Sequence, residues 1–259
     1  MAQVMSNPKY AAITPNLVLR LSQEAINSGL KGKPALKFVR NKLHQVGGAY
    51  FKQKVDYTSA AQDLTKLPKD VDAATTMDYC RRIMRFHAST AERLPILEEF
   101  FHTCLATIAP ITSINDLACG LNPLAIPWMP LAEDVEYHAC DIYEDMLGLI
   151  NAFFTQFNLT GSATPCDLIT RAPAEETQVA FLLKSIPCLE QMDKSIVTRL
   201  LTHIPSEHIL VSFPVHSLGG QKKGMETFYR DHFYSLIHEK GWGVQEFRFT
   251  TELAFLVSK

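Results

Sequence analysis

Asp116-Leu117-Ala118-Cys119-Gly120-Leu121-Asn122-Pro123-Leu124-Ala125-Ile126-Pro127 is the stretch around which the chain can be read. It follows Ser113-Ile114, so it reads as a strand end, a tight turn and a helix start. Small residues at Ala118 and Gly120 let a flat group approach the backbone. Asn122 can cap the next helix, and Pro123 suits its first turn. At the carboxyl end of a first strand, such a turn is where an α/β sheet holds a nucleotide-like ligand. A single glycine falls short of a full G-x-G-x-x-G, so an ordinary strand-to-helix turn is the competing reading.

Downstream of this stretch, strand and helix patterns alternate. Strands are expected at 113–119, 135–141, 163–168, 178–185, 207–214, 244–250 and 252–258. Helices are expected at 123–129, 143–157, 188–203 and 225–240. Apolar strands alternating with helices predict a mostly parallel sheet covered on both faces. The last two strands, joined by a tight turn at Thr250-Thr251, predict an antiparallel hairpin at one edge. A parallel sheet that ends this way is the usual shape of an S-adenosylmethionine methyltransferase. A dinucleotide dehydrogenase more often finishes in parallel.

The strand ends supply the candidate chemistry. The second strand ends at Asp141, about 20 residues after the glycine turn, where a carboxylate accepts hydrogen bonds from ribose hydroxyls. That spacing fits nicotinamide dinucleotides and S-adenosylmethionine equally. The third strand ends at Asp167-Leu168, where a carboxylate can take an adenine amino group while the apolar neighbour covers the ring. Asp167 also suits a plain turn. The fourth strand runs into Lys184, which either points into the cleft or snorkels to the surface. After the fifth strand, Ser217-Leu218-Gly219-Gly220-Gln221-Lys222-Lys223-Gly224 forms a basic, glycine-rich loop suited to a phosphate backbone.

The amino-terminal part is of another kind. Residues 1–54 hold nine basic residues against one acidic residue, Glu24. The rest of the chain keeps 16 of its 25 basic residues and 26 of its 27 acidic ones. A basic head on an acidic body points to a polyanion partner, most plausibly nucleic acid; a solvated helical face is the plainer alternative. Helical spacing covers about 8–28, 34–46 and 59–67, with Lys37, Arg40 and Lys42 on the polar face of the second helix. Tyr50 and Phe51 beside Lys52 and Lys54 place aromatic rings next to charge, as base contacts require; bundle packing is the other use for Tyr50. Residues 70–105 also read as helical. Ser89 or Thr90 can cap a helix whose first turn then holds Arg93. The macrodipole disfavours a cation there, which predicts a carboxylate partner elsewhere unless the arginine is merely exposed.

Composition excludes several classes. At 259 residues and 47% hydrophobic, the chain can bury one large core, or one core with an appendage. No run of about 18 apolar residues exists to span a membrane, and the first ten residues lack the core of a signal peptide. Six scattered cysteines without a C-x-x-C pair predict reduced thiols in a cytosolic protein and no metal site.

Taken together, the chain resembles the aminoglycoside-resistance 16S rRNA methyltransferases that modify N7 of a guanine in the decoding-site helix of the small ribosomal subunit. The residues that carry this are His87-Ala88-Ser89-Thr90 with Glu92-Arg93-Leu94, and Asp116 to Ala125. They continue with Lys184 and Pro187, Ser212-Phe213-Pro214, Ser217-Leu218-Gly219-Gly220, Lys223-Gly224-Met225-Glu226 and Thr251-Glu252-Leu253. Lys42-Leu43-His44-Gln45 and Gly48-Ala49-Tyr50 extend the match into the head, so it covers essentially the whole chain.

The resemblance implies a helical rRNA-docking domain over 1–78 and a Rossmann-like class I methyltransferase domain over 79–259. It implies S-adenosyl-L-methionine as cofactor, with Arg93 on the methionine carboxylate and Ala118 and Gly120 as the cleft floor. Asp141 and Ile142 would meet the ribose and adenine edge, Asp167 and Leu168 would frame the adenine, and Leu183 would line the cleft. Lys184 and Glu252 would belong to the catalytic surroundings. Lys37, Arg40, Lys42, Tyr50, His216, Lys222, Lys223 and Met225 would contact RNA, in helix 44 of the 30S subunit, with the protein acting as a cytoplasmic monomer. His216 departs from the family, which usually carries lysine or arginine there, and Gln221 often has a basic counterpart. Two alternatives stay open: a small-molecule methyltransferase of the same fold, and a non-catalytic RNA-binding protein.

Overall fold

The computed structural model describes residues 2–48, 55–215 and 224–259. The predicted contacts at Tyr50, His216, Lys222 and Lys223 lie outside these residues.

The strand pattern holds throughout. Strands β1 (Ile111–Leu117), β2 (Leu131–Asp141), β3 (Gly161–Pro165), β4 (Thr177–Leu183), β5 (Ser206–Pro214), β6 (Gly243–Arg248) and β7 (Glu252–Ser258) form one sheet. Its order is β3-β2-β1-β4-β5-β7-β6. The first five strands are parallel, in register at Ile114–Tyr137 and Ile114–Val179. The carboxyl-terminal hairpin inserts β7 antiparallel beside β5, with Val211 opposite Phe255, and leaves β6 at the edge. This is the class I methyltransferase architecture that the closing hairpin predicted.

The two faces of β4 show why its sequence is apolar without alternation. Val179, Phe181 and Leu183 enter one core cluster, whereas Ala180 and Leu182 enter another. Helices α9 (Ile186–Met192), α10 (Ile196–His203) and α11 (Met225–Ile237) cover the second face. Helices α7 (Leu97–Leu105) and α8 (Glu144–Gln156) cover the first. Helices α2 (Pro15–Asn27), α3 (Gly32–Leu43), α4 (Tyr57–Leu64) and α5 (Ala74–Met84) join that same cluster through Leu17, Leu21, Val39, Tyr57 and Ile83. The expected division at 78/79 falls inside α5.

Three local expectations change. The helix expected over 188–203 is two helices, because the Asp193 side chain accepts the Ser195 amide at 2.9 Å and its hydroxyl at 2.7 Å. Such a local bond competes with helix continuation. The segment after the Gly120 turn is a 3₁₀ helix, Asn122–Trp128, with Pro127 inside it. Asn122 does not cap it; its side chain points to other partners. Finally, Arg93 ends the short helix α6 (Ala88–Arg93), because Leu94-Pro95-Ile96 tightens to a 3₁₀ turn before α7. The cation therefore sits at a helix carboxyl end, where the macrodipole favours it.

Candidate active site

β1 and β4 are neighbours, and the strands that follow each lie on opposite sides of them. That is the switch point at which an open α/β sheet forms a crevice. The backbone there is held in an unusual state. Ala118 (φ +53°) and Lys184 (φ +57°), just past the ends of β1 and β4, are both left-handed. For a residue with a Cβ this conformation costs roughly 1–2 kcal/mol. Two such residues at adjacent strand ends mark a constrained functional site.

A cleft opens at this point. Ala118, Asp141, Ile142, Asp167, Leu168 and Leu183, six of the eight predicted cofactor residues, line it together. Gly120 lies just behind them and donates its amide to Asp141 Oδ2 at 2.9 Å, while Ile142 donates to Asp141 Oδ1 at 2.6 Å. Burial pushes the Asp141 carboxyl above its ordinary value, against the pull of the Gly120, Ile142 and Tyr143 amides. Gly120 is required twice over. Its φ is +53°, and an added Cβ would stand 2.8 Å from His87 Cε1. The His87 ring also borders the cleft. Burial, with the nearby Lys184 and Arg93 charges, lowers its pKa to about 4, so it is neutral at pH 7.

Behind the floor is a closed set of charges. Arg93 and Glu252, both fully buried, pair through Nε–Oε1 and Nη2–Oε2, each at 2.9 Å. Arg93 also donates through Nη1 to Asn122 Oδ1 at 2.9 Å and stacks over Phe100 at 4.6 Å. Asn122 Nδ2 and the Tyr137 hydroxyl both donate to Asp116 Oδ2, at 2.9 and 2.7 Å. Lys184 Nζ meets Glu252 Oε1 at 3.1 Å, Glu92 Oε2 at 2.9 Å and the Ser89 carbonyl at 3.3 Å. Two cations thus balance two carboxylates. Burial alone raises the Glu252 carboxyl, but Arg93 and Lys184 outweigh it and the net pKa lies below the ordinary value. Asp116 feels the Arg93 charge, which lowers its carboxyl less than burial raises it. Burial raises it to about 7, against the hydrogen bonds from Asn122 and Tyr137.

These positions refine the sequence reading. The carboxylate partner predicted for Arg93 exists within the chain, as Glu252, and Arg93 does not line the cleft. Lys184 borders the cleft, but its ammonium turns into the buried charge set. Lys37 is exposed on α3. Arg40 is half-buried, with Nη2 donating to the Gln3 carbonyl at 3.5 Å. Lys42 is also half-buried and donates to the Gln191 carbonyl at 3.1 Å, bridging head and body. Met225 starts α11, half-buried.

Sequence reading missed the wall that the head contributes. Leu17, Arg20 and Val46 line the cleft. Arg20, counted above only as a basic residue of the head, pairs with Asp167 through Nε–Oδ2 at 2.6 Å. The chain just before α2 is stitched to the loop after β2: Thr14 donates to the Ile142 carbonyl, and Glu144 to that of Ala12, both at 2.8 Å. Leu17 and Leu21 are buried, and Arg20 stands three residues after one and next to the other on the same helix; that spacing is the signal the sequence carries. Among the described residues no group of three or more His, Cys, Asp or Glu side chains is placed to hold a metal, and no helix is long and apolar enough to cross a membrane.

The chain is similar in sequence and fold to known proteins. The sequence profile described as "Ribosomal RNA methyltransferase (FmrO)" matches residues 6–256. A 16S rRNA (guanine(1405)-N(7))-methyltransferase of Micromonospora rosea is 31% identical over 258 residues, covering 99% of this chain and 94% of its own. The crystal structure of the 16S rRNA methyltransferase RmtF in complex with S-adenosyl-L-homocysteine superposes with a TM-score of 0.86 at 29% identity, covering 100% of this chain and 96% of that one. The 16S rRNA methylase RmtB shares the fold, with a TM-score of 0.80 at 23% identity over 100% of this chain and 96% of that chain. A match that begins in the basic head and runs through the closing hairpin leaves one conclusion: the chain belongs to the FmrO family of ribosomal RNA methyltransferases.

Proposed function

We propose that this protein transfers a methyl group from S-adenosyl-L-methionine to N7 of guanine 1405 in 16S rRNA, and so confers resistance to aminoglycosides of the kanamycin and gentamicin type. The observation that carries the reading is the cleft itself: one carboxylate, Asp141, ends β2 and another, Asp167, stands two residues past β3, apolar side chains line the cleft beside them, and left-handed backbone lies at Ala118 and Gly120. That set of acceptors and apolar surface fits an adenosine. Asp141 has about one acceptor position left for a ribose hydroxyl after taking the Gly120, Ile142 and Tyr143 amides. Ile142, Leu168 and Leu183 provide apolar surface for the adenine, and Asp167 an acceptor for its amino group. The substrate of the relatives, the same 16S rRNA guanine, comes to this chain with the family.

The cofactor supplies an activated methyl on sulfur. The carbon–sulfur bond breaks as the bond from N7 to carbon forms, and S-adenosylhomocysteine leaves. N7 carries a free lone pair and no proton, so no general base is needed. The protein's work is alignment, which supplies up to about 7–11 kcal/mol in favourable cases. Lys184 and Glu252 act from within the charge set: they fix Arg93, and through Asn122 the floor of the cleft. The guanine must leave its stack to reach this depth. The product base is cationic and repels a polycationic drug at the same place.

The protein acts on the assembled 30S subunit at helix 44, in the cytoplasm and as a monomer. The docking head, 1–78, presents Lys37, with Arg40 and Lys42 beside it; Tyr50, Met225 and the 216–223 segment complete the RNA contact. Support comes from the charge asymmetry of the head. Incubation with 30S subunits and S-adenosylmethionine, followed by borohydride and aniline cleavage at N7-methylguanine, tests the whole reading. Strand scission at guanine 1405 is expected; its absence refutes the assignment.

A further inference from the structure

Arg20 lies on α2, in the basic head, yet it reaches the adenine end of the cleft. The helix is anchored on both sides of it by Leu17, Val18 and Leu21, which are at most 1% exposed. Its guanidinium takes Asp167 with both arms, Nε to Oδ2 at 2.6 Å and Nη2 to Oδ1 at 3.3 Å. Asp167 Oδ1 also accepts the Ile169 amide at 3.1 Å. Three of its roughly four acceptor positions are therefore filled, and one remains for a ligand. Asp167 lies just past β3, where no ladder fixes its side chain. The fixing comes from Arg20, whose rigid planar fork suits a carboxylate.

We infer that Arg20 is a positioning residue for the methyl donor: by gripping Asp167 it aims the remaining carboxylate lone pair at the adenine amino group, so an arginine of the docking head sets the base selectivity of the cofactor site. The inference rests on the methyl-donor reading above. It removes one charge from the head's RNA-facing complement and makes the head part of the cofactor site. The stitching of Thr14 and Ala12 to the 142–144 loop holds the same helix in register with the cleft.

The test is calorimetric titration of the full chain with two product analogues, S-adenosylhomocysteine and S-inosylhomocysteine. The second replaces the adenine amino group with an oxo group, which faces the carboxylate with an acceptor. The unmodified protein binds the adenosyl compound preferentially. Arg20→Ala weakens adenosyl binding about tenfold, the size of one charge-assisted hydrogen bond, and collapses the preference between the two compounds. Arg20→Lys, which restores the charge without the fork, recovers part of the affinity and part of the preference. Should Arg20→Ala fail to fold, Arg20→Gln carries the same readout. Retention of the full adenosyl preference in the variant, whatever its affinity, overturns the inference and leaves Arg20 a structural residue. Equal binding of both compounds by the unmodified protein overturns it too. Binding of neither by the unmodified protein is a different result, and refutes the methyl-donor reading itself.

Discussion

Arg93 and Glu252 stand 159 residues apart in sequence and meet fork to fork with neither side chain exposed. This pair joins the end of α6 to the closing hairpin, directly behind the cofactor floor. Removing one member of such a pair strands the other charge in the interior, which costs about 3–5 kcal/mol. Arg93→Ala should lower the urea-unfolding free energy by that amount and weaken cofactor binding through Asn122. A shift below about 1 kcal/mol would show that Lys184 alone satisfies Glu252. The pair also sets an acid limit. The Glu252 carboxyl lies below its ordinary 4.5 in the folded state, so its contribution is present above that value and is lost as pH falls through the folded one.

Asp116 gives a pH dependence of the opposite sign. Its carboxyl is raised from 3.8 to about 7 in the fold. Its contribution is complete below 3.8 and is lost as pH rises through 7, because the buried group must then ionise. Asp116→Asn keeps an acceptor for Tyr137 and Asn122 but cannot ionise. Relative to the unmodified protein, the variant should gain about 2 kcal/mol between pH 5 and pH 8 in chemical denaturation. A constant difference across that range would show that Asp116 titrates normally.

The contact between Gly120 and the His87 ring gives a coupled pair. Gly120→Ala places a Cβ 2.8 Å from that ring and forces alanine into a left-handed backbone. The backbone part alone costs about 1–2 kcal/mol. His87→Ala removes the clash but not the backbone cost. In a double-mutant cycle the combined variant should therefore be more stable than the sum of the single losses predicts, by at least about 0.5 kcal/mol. Strict additivity would mean that the ring moves aside freely.

Much of this was legible in sequence, and the exceptions share a cause. The parallel sheet could be read because Val179 to Leu183 is apolar without alternation, as burial on both faces demands. Asp141 could be placed because it ends β2; Asp167 reaches the same cleft from the turn that follows β3, two residues past the strand's last residue. What could not be read was pairing between distant segments. Arg93 asked for a carboxylate, but nothing local names Glu252 as the one it finds. Arg20 is only one charge among nine in a count of the basic head, and a count says nothing of the direction in which its side chain reaches. Asn122 suited a helix cap by type, yet two buried groups, Arg93 and Asp116, claimed its side chain. Periodicity reports which face of an element is buried; it does not report which neighbour waits there.

The basic residues of α3 should accordingly differ in their effect on ribosome docking. Lys37 is exposed and free to meet a phosphate. Lys42 is half-buried, and its ammonium is engaged with the Gln191 carbonyl of α9 at 3.1 Å. Each phosphate contact made by a lysine releases counterions and contributes about one unit to the slope of log affinity against log salt. Lys37→Glu should therefore flatten the salt dependence of 30S binding by about one unit, with S-adenosylhomocysteine affinity unchanged. Lys42→Glu should leave the slope nearly intact and instead loosen the contact between head and body, visible as a lower melting temperature. The measurement is 30S affinity by fluorescence anisotropy across a salt series, with a thermal melt for each variant. If both substitutions flatten the slope equally, the Lys42–Gln191 contact yields to RNA on docking, and the whole polar face of α3 engages the ribosome.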